Sequence, residues 1–247
     1  PFTLTNHSNG RKSWVLWAIK RVVGAHPLFH STCEEETGYI RATFGPDARI
    51  VQIPNFIDVP AVVERLPEKY ILYLGRVHPK KGIDNLLTAL SLTTDFLQSG
   101  YVLKIAGTGA PGYMQELRGM VSALNLEKHV EFVGQIEGTE KQQLLANAFW
   151  TFMPSHTENF GLVVLESLAQ HTPVAASTGS PWQVLEHERL GVWSGNSPQE
   201  LSIVLKRVLS MEPQDYEAMR TRGRAFVEEH FDMRRNIDRW IDTYRAI

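Results

Sequence analysis

From residue 70 onward two kinds of apolar pattern alternate along the chain. Short β-rich runs stand at 70–75 (YILYLG), 101–107 (YVLKIAG), 130–134 (VEFVG), 150–154 (WTFMP), 173–177 (PVAAS) and 190–194 (LGVWS). Between them lie KGIDNLLTALSL, GYMQELRGMVSAL, TEKQQLLANA, FGLVVLESLAQ and SPWQVLEHE, where apolar residues recur every three to four positions. This alternation predicts an α/β fold on a doubly wound parallel sheet. In such sheets ligands sit at the carboxyl ends of the strands, beside the amino ends of the following helices.

The flanks read differently. Residues 1–60 carry a helical pattern, RKSWVLWAIKRVVG, then a short strand PLFHST, a helix EEETGYIRATF and a second strand RIVQIP. One or two βα steps are too few for an independent domain, so this part reads as the tail of a preceding one, a partial second α/β domain. The segment DVPAVVERLPEKY, with Pro60 and Pro67, reads as a linker. Three amphipathic helices close the chain: PQELSIVLKRVLS, PQDYEAMRTRGRAFVEEH and DMRRNIDRWIDTYRAI. The expected division is therefore 1–60, 61–230 and 231–247. The chain opens at Pro1 in the manner of a domain interior, and an upstream portion is expected.

Composition narrows the chemistry. With 247 residues and 43% hydrophobic content the chain can bury a sizeable core. Twenty-five basic against 27 acidic side chains give a formal charge of -2, so no global field draws it to nucleic acid, and any anion site must be local. The single cysteine, Cys33, has no internal partner, and no run of eighteen apolar residues is present. A cytoplasmic setting is expected.

In LGRVHPKKGIDNLL, residues 74–87, a strand ends at Gly75, Arg76 stands at its tip, and Lys81 and Gly82 are expected to open a helix. Helix amino ends present free N–H groups and partial positive charge, so Arg76 and Lys81 beside one would clamp a diphosphate without a metal. The bland alternative is two solvated cations flanking a loop.

The stretch TFMPSHTENFGLVVLESLAQ, residues 151–170, holds Glu158 in a loop and Glu166 about one and a half turns into the next helix. Helix side chains lean toward the amino end, so both carboxylates should border the unpaired amides near Phe160 to Val163. Carboxylates accept hydrogen bonds bidentately from vicinal hydroxyls, which together with an anion site suits a nucleotide sugar. The bland alternatives are a favourable charge near a helix start for Glu158 and a cation's partner for Glu166.

Other features point elsewhere. GTGAPG, residues 107–112, matches G-x-G-x-x-G, but its strand is the second of the sheet and no acid closes the next one, as a dinucleotide fingerprint requires. A glycine turn at the same ligand edge, beginning at Gly107, is the better reading. His26 and His30 stand in a strand-like HPLFH that spreads them too far to share an ion, and no cysteine cluster or H-E-x-x-H occurs, so no metal is expected. Trp14 and Trp17 with Lys12, Lys20 and Arg21 would suit a helix on anionic lipid or ordinary packing.

Taken together these motifs resemble one family. GRVHPKKG looks like the G-R-x-x-x-x-K-G of retaining GT-B glycosyltransferases, group 1 and of the family 4 type, and PSHTENFGLVVLE looks like their P-S-x-x-E-x-F-G-x-x-x-x-E. IAGTGAPGYMQEL, VEFVGQI and QIPNFID are similar to further family motifs, and the likeness spans residues 51–246. HSTCEEE resembles the family's H-A-T-S-x-x-E, with Glu36 as its final acid, and His7 in NHSNG resembles its cleft histidine. The sequence departs from the family at Ser180 and Gln183, where a double glycine and a glutamate are usual, and at Phe56.

The resemblance implies a Rossmann-like GT-B carboxyl-terminal domain that binds the donor of a retaining hexosyl transfer. In that frame Arg76 and Lys81 would hold the diphosphate, and Gly75 and Gly107 would also belong to the donor site. Gly134, Gln135 and Ile136 would lie at the base, and Glu166 at the ribose. Ser155, Glu158 and the Asn159, Phe160, Gly161 and Leu162 backbone would meet the donor sugar. Arg76, Lys81, Glu158 and His7 would be the catalytic set. The donor would be a nucleoside-diphosphate sugar such as a UDP-sugar, with no cofactor or metal. The acceptor would be a sugar or a lipid-linked molecule, as in polysaccharide biosynthesis, with peripheral contact at the inner face of the membrane. The terminal helix would cross back to the first domain, and the chain alone would be inactive. Competing readings are a non-catalytic nucleotide-sugar-binding module and a GT-B-type nucleotide-sugar epimerase.

Overall fold

The computed structural model describes residues 17–18, 27–66 and 68–246. Two compact units are present: one takes the chain up to Asn55 and from Asn236 onward, the other is Phe56–Arg235. The expected helix over 11–24 lies mostly outside the described residues.

In the first unit β1 (Leu28–Ser31) and β2 (Arg49–Gln52) pair in parallel, and helix α1 (Glu34–Phe44) supplies the crossover that parallel neighbours need. Glu36 secures the start of α1, its carboxylate accepting from the Thr32 N–H at 2.7 Å and the Thr32 hydroxyl at 2.8 Å. The last acid of HSTCEEE therefore serves a local turn.

The second unit is built on six strands: β3 (Tyr70–Leu74), β4 (Val102–Ala106), β5 (Val130–Gly134), β6 (Trp150–Met153), β7 (Val174–Ser177) and β8 (Gly191–Ser194). All pairs are parallel and the order is β5-β4-β3-β6-β7-β8. This is the doubly wound sheet that the alternation predicted. The chain starts in the middle, winds to one edge, then returns and winds to the other, so the order reverses between β3 and β6.

Helices α2 (Ile83–Ser91), α3 (Thr94–Ser99), α4 (Pro111–Ala123), α5 (Gly138–Asn147), α6 (Leu162–Ala169) and α7 (Val184–His187) connect the strands. Helices α8 (Pro198–Leu209), α9 (Pro213–His230) and α10 (Met233–Arg245) follow. Helix α3 has no counterpart in the apolar pattern, because Phe96 is its one buried residue and a single anchor leaves no periodicity.

Layers on both faces explain the uniformly apolar strands. Ile71 and Tyr73 of β3 join Leu86 and Leu90 of α2 and Leu205 of α8 in one core, whereas Tyr70 and Leu72 join Leu145 in another. A strand buried on both faces has no position to alternate with polar residues. The expected linker is stitched to this unit: Asn147 accepts from the Leu66 N–H at 2.9 Å, and the buried Gln170 donates to the Ala61 carbonyl at 2.9 Å.

Candidate functional site

The site forms where the sheet order reverses, from the loops after β3 and β6. Strand β3 ends at Gly75, φ +146, whose N–H donates to the Ala106 carbonyl at 2.9 Å. Gly107, φ +136, packs so tightly on Gly75 that any side chain there would overlap the Gly75 carbonyl. Its N–H donates to the Gly134 carbonyl at 2.6 Å. The tips of β3, β4 and β5 thus bring Gly75, Gly107 and Gly134 together. GTGAPG serves this close approach of two loops, a sufficient reason for its first two glycines.

Arg76 follows, exposed, and its guanidinium forms no ion pair among the described residues. Its backbone is fixed, since the buried Tyr73 hydroxyl donates to the Arg76 carbonyl at 2.7 Å. Burial first, and then the charge of Glu158, pushes the Tyr73 pKa up, so this phenol keeps its proton. Next comes a 3₁₀ turn, Pro79–Lys81, capped by His78, whose Nδ1 accepts from the Lys80 N–H at 3.2 Å. Burial, followed by the charges of Arg76, Lys80 and Lys81, lowers the His78 pKa.

Gly82 opens the helix as its N-cap, its carbonyl accepting from the Leu86 N–H at 3.2 Å, but Lys81 lies one residue before it. Lys81 closes the 3₁₀ turn, Gly82 adopts a left-handed conformation with φ 64, and α2 starts at Ile83. Only glycine fits there, because any side chain on Gly82 would overlap the Pro154 carbonyl after β6. The two loops are also joined by the His156 N–H, which donates to the Lys80 carbonyl at 2.8 Å.

The turn delivers the Lys81 ammonium onto the Glu158 carboxylate. Buried Ser155 reaches the same oxygen at 3.5 Å, and the Glu158 N–H donates to the Gly179 carbonyl at 2.7 Å. Asn159 and the buried Phe160 follow. Gly161, φ +81, then turns the chain into α6, and Leu162 at its first position is exposed. Glu166 lies farther along α6 and pairs with Lys141 of α5 at 3.0 Å. Beyond β5, Gln135 is exposed, donating to the Glu137 carboxylate at 2.7 Å, and Ile136 packs against the core.

Of the residues singled out from the sequence, the structure joins Lys81, Ser155 and Glu158 in one cluster and Gly75, Gly107 and Gly134 in another. Glu166 stands with Lys141 instead, and His7 lies outside the described residues. Tyr73, Lys141, Gly179 and Trp182 escaped the sequence reading. Each sits in an ordinary apolar or amphipathic run, and only the fold brings it to the site. Among the described residues no three His, Cys, Asp or Glu stand together to hold a metal ion. No helix there is long and apolar enough to cross a membrane.

A six-stranded parallel sheet in this order, with cations and carboxylates where the order reverses, defines a doubly wound α/β domain. Residues 58–226 match the family model "Glycosyl transferases group 1", and the chain belongs to that family. It is 32% identical over 165 residues to a D-inositol 3-phosphate glycosyltransferase of Jonesia denitrificans, covering 64% of this chain and 39% of that protein. The matched segment covers 36–46% of the length of this and similarly identical curated relatives. Among solved structures, sucrose-phosphate synthase of Thermosynechococcus elongatus superposes with a TM-score of 0.84 at 24% identity, covering 98% of this chain and 64% of that one. HepE of Anabaena, solved in complex with UDP, superposes with a TM-score of 0.82 at 19% identity, covering 100% of this chain and 70% of that one. The fold is that of a GT-B Rossmann-like domain.

Proposed function

We propose that this chain is the donor-binding part of a retaining GT-B glycosyltransferase of the family 4 type. It would take a nucleoside-diphosphate sugar and, in the whole protein, pass the sugar to a sugar or lipid-linked acceptor without a metal. The Lys81–Glu158 contact carries the reading, because a cation and a carboxylate side by side at the ligand edge suit a diphosphate and a sugar hydroxyl. HepE, similar in fold, is solved in complex with UDP, which supports a nucleotide donor here. The match covers 36% and 39% of two curated relatives, which supports assigning donor binding to this chain and turnover to the whole protein.

As the glycosidic bond of the donor breaks, negative charge grows on the departing diphosphate and positive charge on the sugar ring. Arg76 and Lys81 would stabilise the first charge, and their effect would be larger in the transition state than in the ground state. Glu158, released from Lys81 once the diphosphate takes the ammonium, would accept hydroxyl donors of the sugar. The domain boundaries at 60 and 230, a cytoplasmic site of action and contact with the membrane face belong to the same reading.

Calorimetric titration of UDP, GDP and ADP into the wild-type chain and into Arg76→Ala tests it. The wild type should bind at least one of the three, and Arg76→Ala should bind that one at least tenfold more weakly, about 1.4 kcal/mol. Equal affinity for the two proteins would remove Arg76 from the diphosphate site.

A further inference from the structure

We infer that Trp182, which lies outside both sequence motifs, is a positioning residue that sets the backbone meeting the donor sugar. The inference rests on the donor reading above.

The loop after β6 is held from behind by the segment after β7. Ser177 Oγ donates to the Ser155 carbonyl, the Gly179 carbonyl accepts from the Glu158 N–H at 2.7 Å, and the Trp182 indole N–H donates to the Phe160 carbonyl. The segment follows the loop closely enough that a side chain on Gly179 would come within 2.7 Å of the Ser155 carbonyl.

Packing fixes the indole. Trp182 is 2% exposed, stands edge-on to Phe160 with centroids 5.2 Å apart, and lies 5.8 Å from Phe231 at the end of α9. Water cannot take the place of its N–H there, and a buried carbonyl deprived of its donor bears the full desolvation cost. The orientation of this one peptide group therefore depends on one indole.

That orientation matters on the opposite side of the peptide. In a trans peptide the carbonyl and the next N–H point in opposite directions. With the Phe160 carbonyl drawn to Trp182, the Gly161 N–H at the head of α6 faces away from the aromatic cluster. Under the donor reading this amide belongs to the sugar side, whereas Arg76 and Lys81 serve the diphosphate and make no contact with Trp182. Loss of the indole N–H should reduce recognition of the sugar and leave recognition of the diphosphate intact.

Trp182→Phe keeps an aromatic ring and removes the donor. UDP and UDP-glucose, GDP and GDP-mannose, and ADP and ADP-glucose are titrated by calorimetry into both proteins. For the pair that binds, the variant should hold the nucleoside diphosphate within about twofold of the wild type and the nucleotide sugar about tenfold more weakly, since misplacing a binding group by a fraction of an ångström costs on that scale. Equal weakening of both ligands, or of neither, overturns the inference and leaves the donor reading standing. Failure of the wild type to bind any pair overturns the donor reading and the inference with it.

Should the variant fold poorly, the wild-type protein supplies an independent measurement. The Trp182 indole N–H resonance, identified by its proximity to the Phe160 and Phe231 rings, should shift when the nucleotide sugar replaces the nucleoside diphosphate. An unchanged resonance overturns the inference.

Discussion

The ammonium of Lys81 rests on the carboxylate of Glu158, 77 residues farther along the chain, and ties the loop after β3 to the loop after β6. The side chains are 22% and 17% exposed, so each charge has lost much of its hydration and depends on the other. Lys81→Met should therefore cost about 1–3 kcal/mol, more than an exposed pair would. In a double-mutant cycle with Glu158→Gln the coupling should reach about 1 kcal/mol, and a saturating nucleoside diphosphate should reduce it by drawing Lys81 away. Urea unfolding of the four proteins measures this. Effects that add to within about 0.3 kcal/mol without nucleotide would show that the contact does not hold in solution.

Gly161 is the hinge between this loop and α6. Its φ of +81 strains any other residue, and a β-carbon there would lie 2.7 Å from Met153 Sδ. Met153 can yield and the backbone cannot, so Gly161→Ala should lose about 1–3 kcal/mol and weaken binding of the nucleotide sugar. Gly119, inside α4 with no atom within 4 Å of an added β-carbon, is the control. Gly119→Ala should gain about 0.5–1 kcal/mol. Chemical denaturation distinguishes the two, and equal stability changes would contradict the assignment of strain to Gly161.

The strands were legible because the central ones, β3, β6 and β7, are almost wholly buried and read as near-continuous apolar runs. Lys81 and Glu158 stood out in the sequence as a cation and a carboxylate in the loops after two expected strands, and the fold brings those loops together. Lys141 was hidden, since a lysine in the amphipathic run TEKQQLLANA looks like any solvated helix position. Its partner, 25 residues away, is chosen by how α5 packs on α6. Trp182 was hidden for the opposite reason, because a tryptophan among apolar residues reads as core and its indole N–H finds the Phe160 carbonyl only through the sheet order. The 3₁₀ turn that holds Lys81 was hidden because Gly82 must be glycine to pass the Pro154 carbonyl, a contact between loops that are distant in the sequence.

His171 provides a pH test of the fold. Burial, ahead of the charges of Arg220 and Arg224, lowers its pKa in the folded state. As pH falls the unfolded chain therefore takes up this proton first, near its ordinary value of about 6.5. A proton bound only by the unfolded state favours unfolding, so stability declines from about pH 6.5 down to the lowered folded value and levels off below it. His78 shifts the same way, and a substitution is needed to isolate His171. His171→Asn suits the left-handed backbone at this position, φ 59, and should flatten part of the decline. Urea midpoints at pH 5.5 and 7.5 measure it, and identical pH slopes for the two proteins would exclude His171 as a source.

Glu166 and Lys141 supply the last prediction, at the end of the site away from the Lys81–Glu158 contact. Their charges lie 3.0 Å apart and each side chain is 26% exposed, so Lys141 holds the Glu166 carboxylate and limits its rotamers. Hydroxyls bond more strongly to a charged acceptor than to a neutral one, roughly 1.5–3 against 0.5–1.5 kcal/mol. If the carboxylate receives ribose hydroxyls, Glu166→Ala should weaken a nucleoside diphosphate about tenfold more than it weakens inorganic diphosphate, which has no ribose. Lys141→Met should give a smaller selective loss, because the carboxylate remains but is no longer held. Competition titrations with the two ligands report both effects. Losses of equal size for nucleoside diphosphate and inorganic diphosphate would remove Glu166 from the ribose, and a Lys141→Met protein that binds both as the wild type does would reduce that ion pair to packing between α5 and α6.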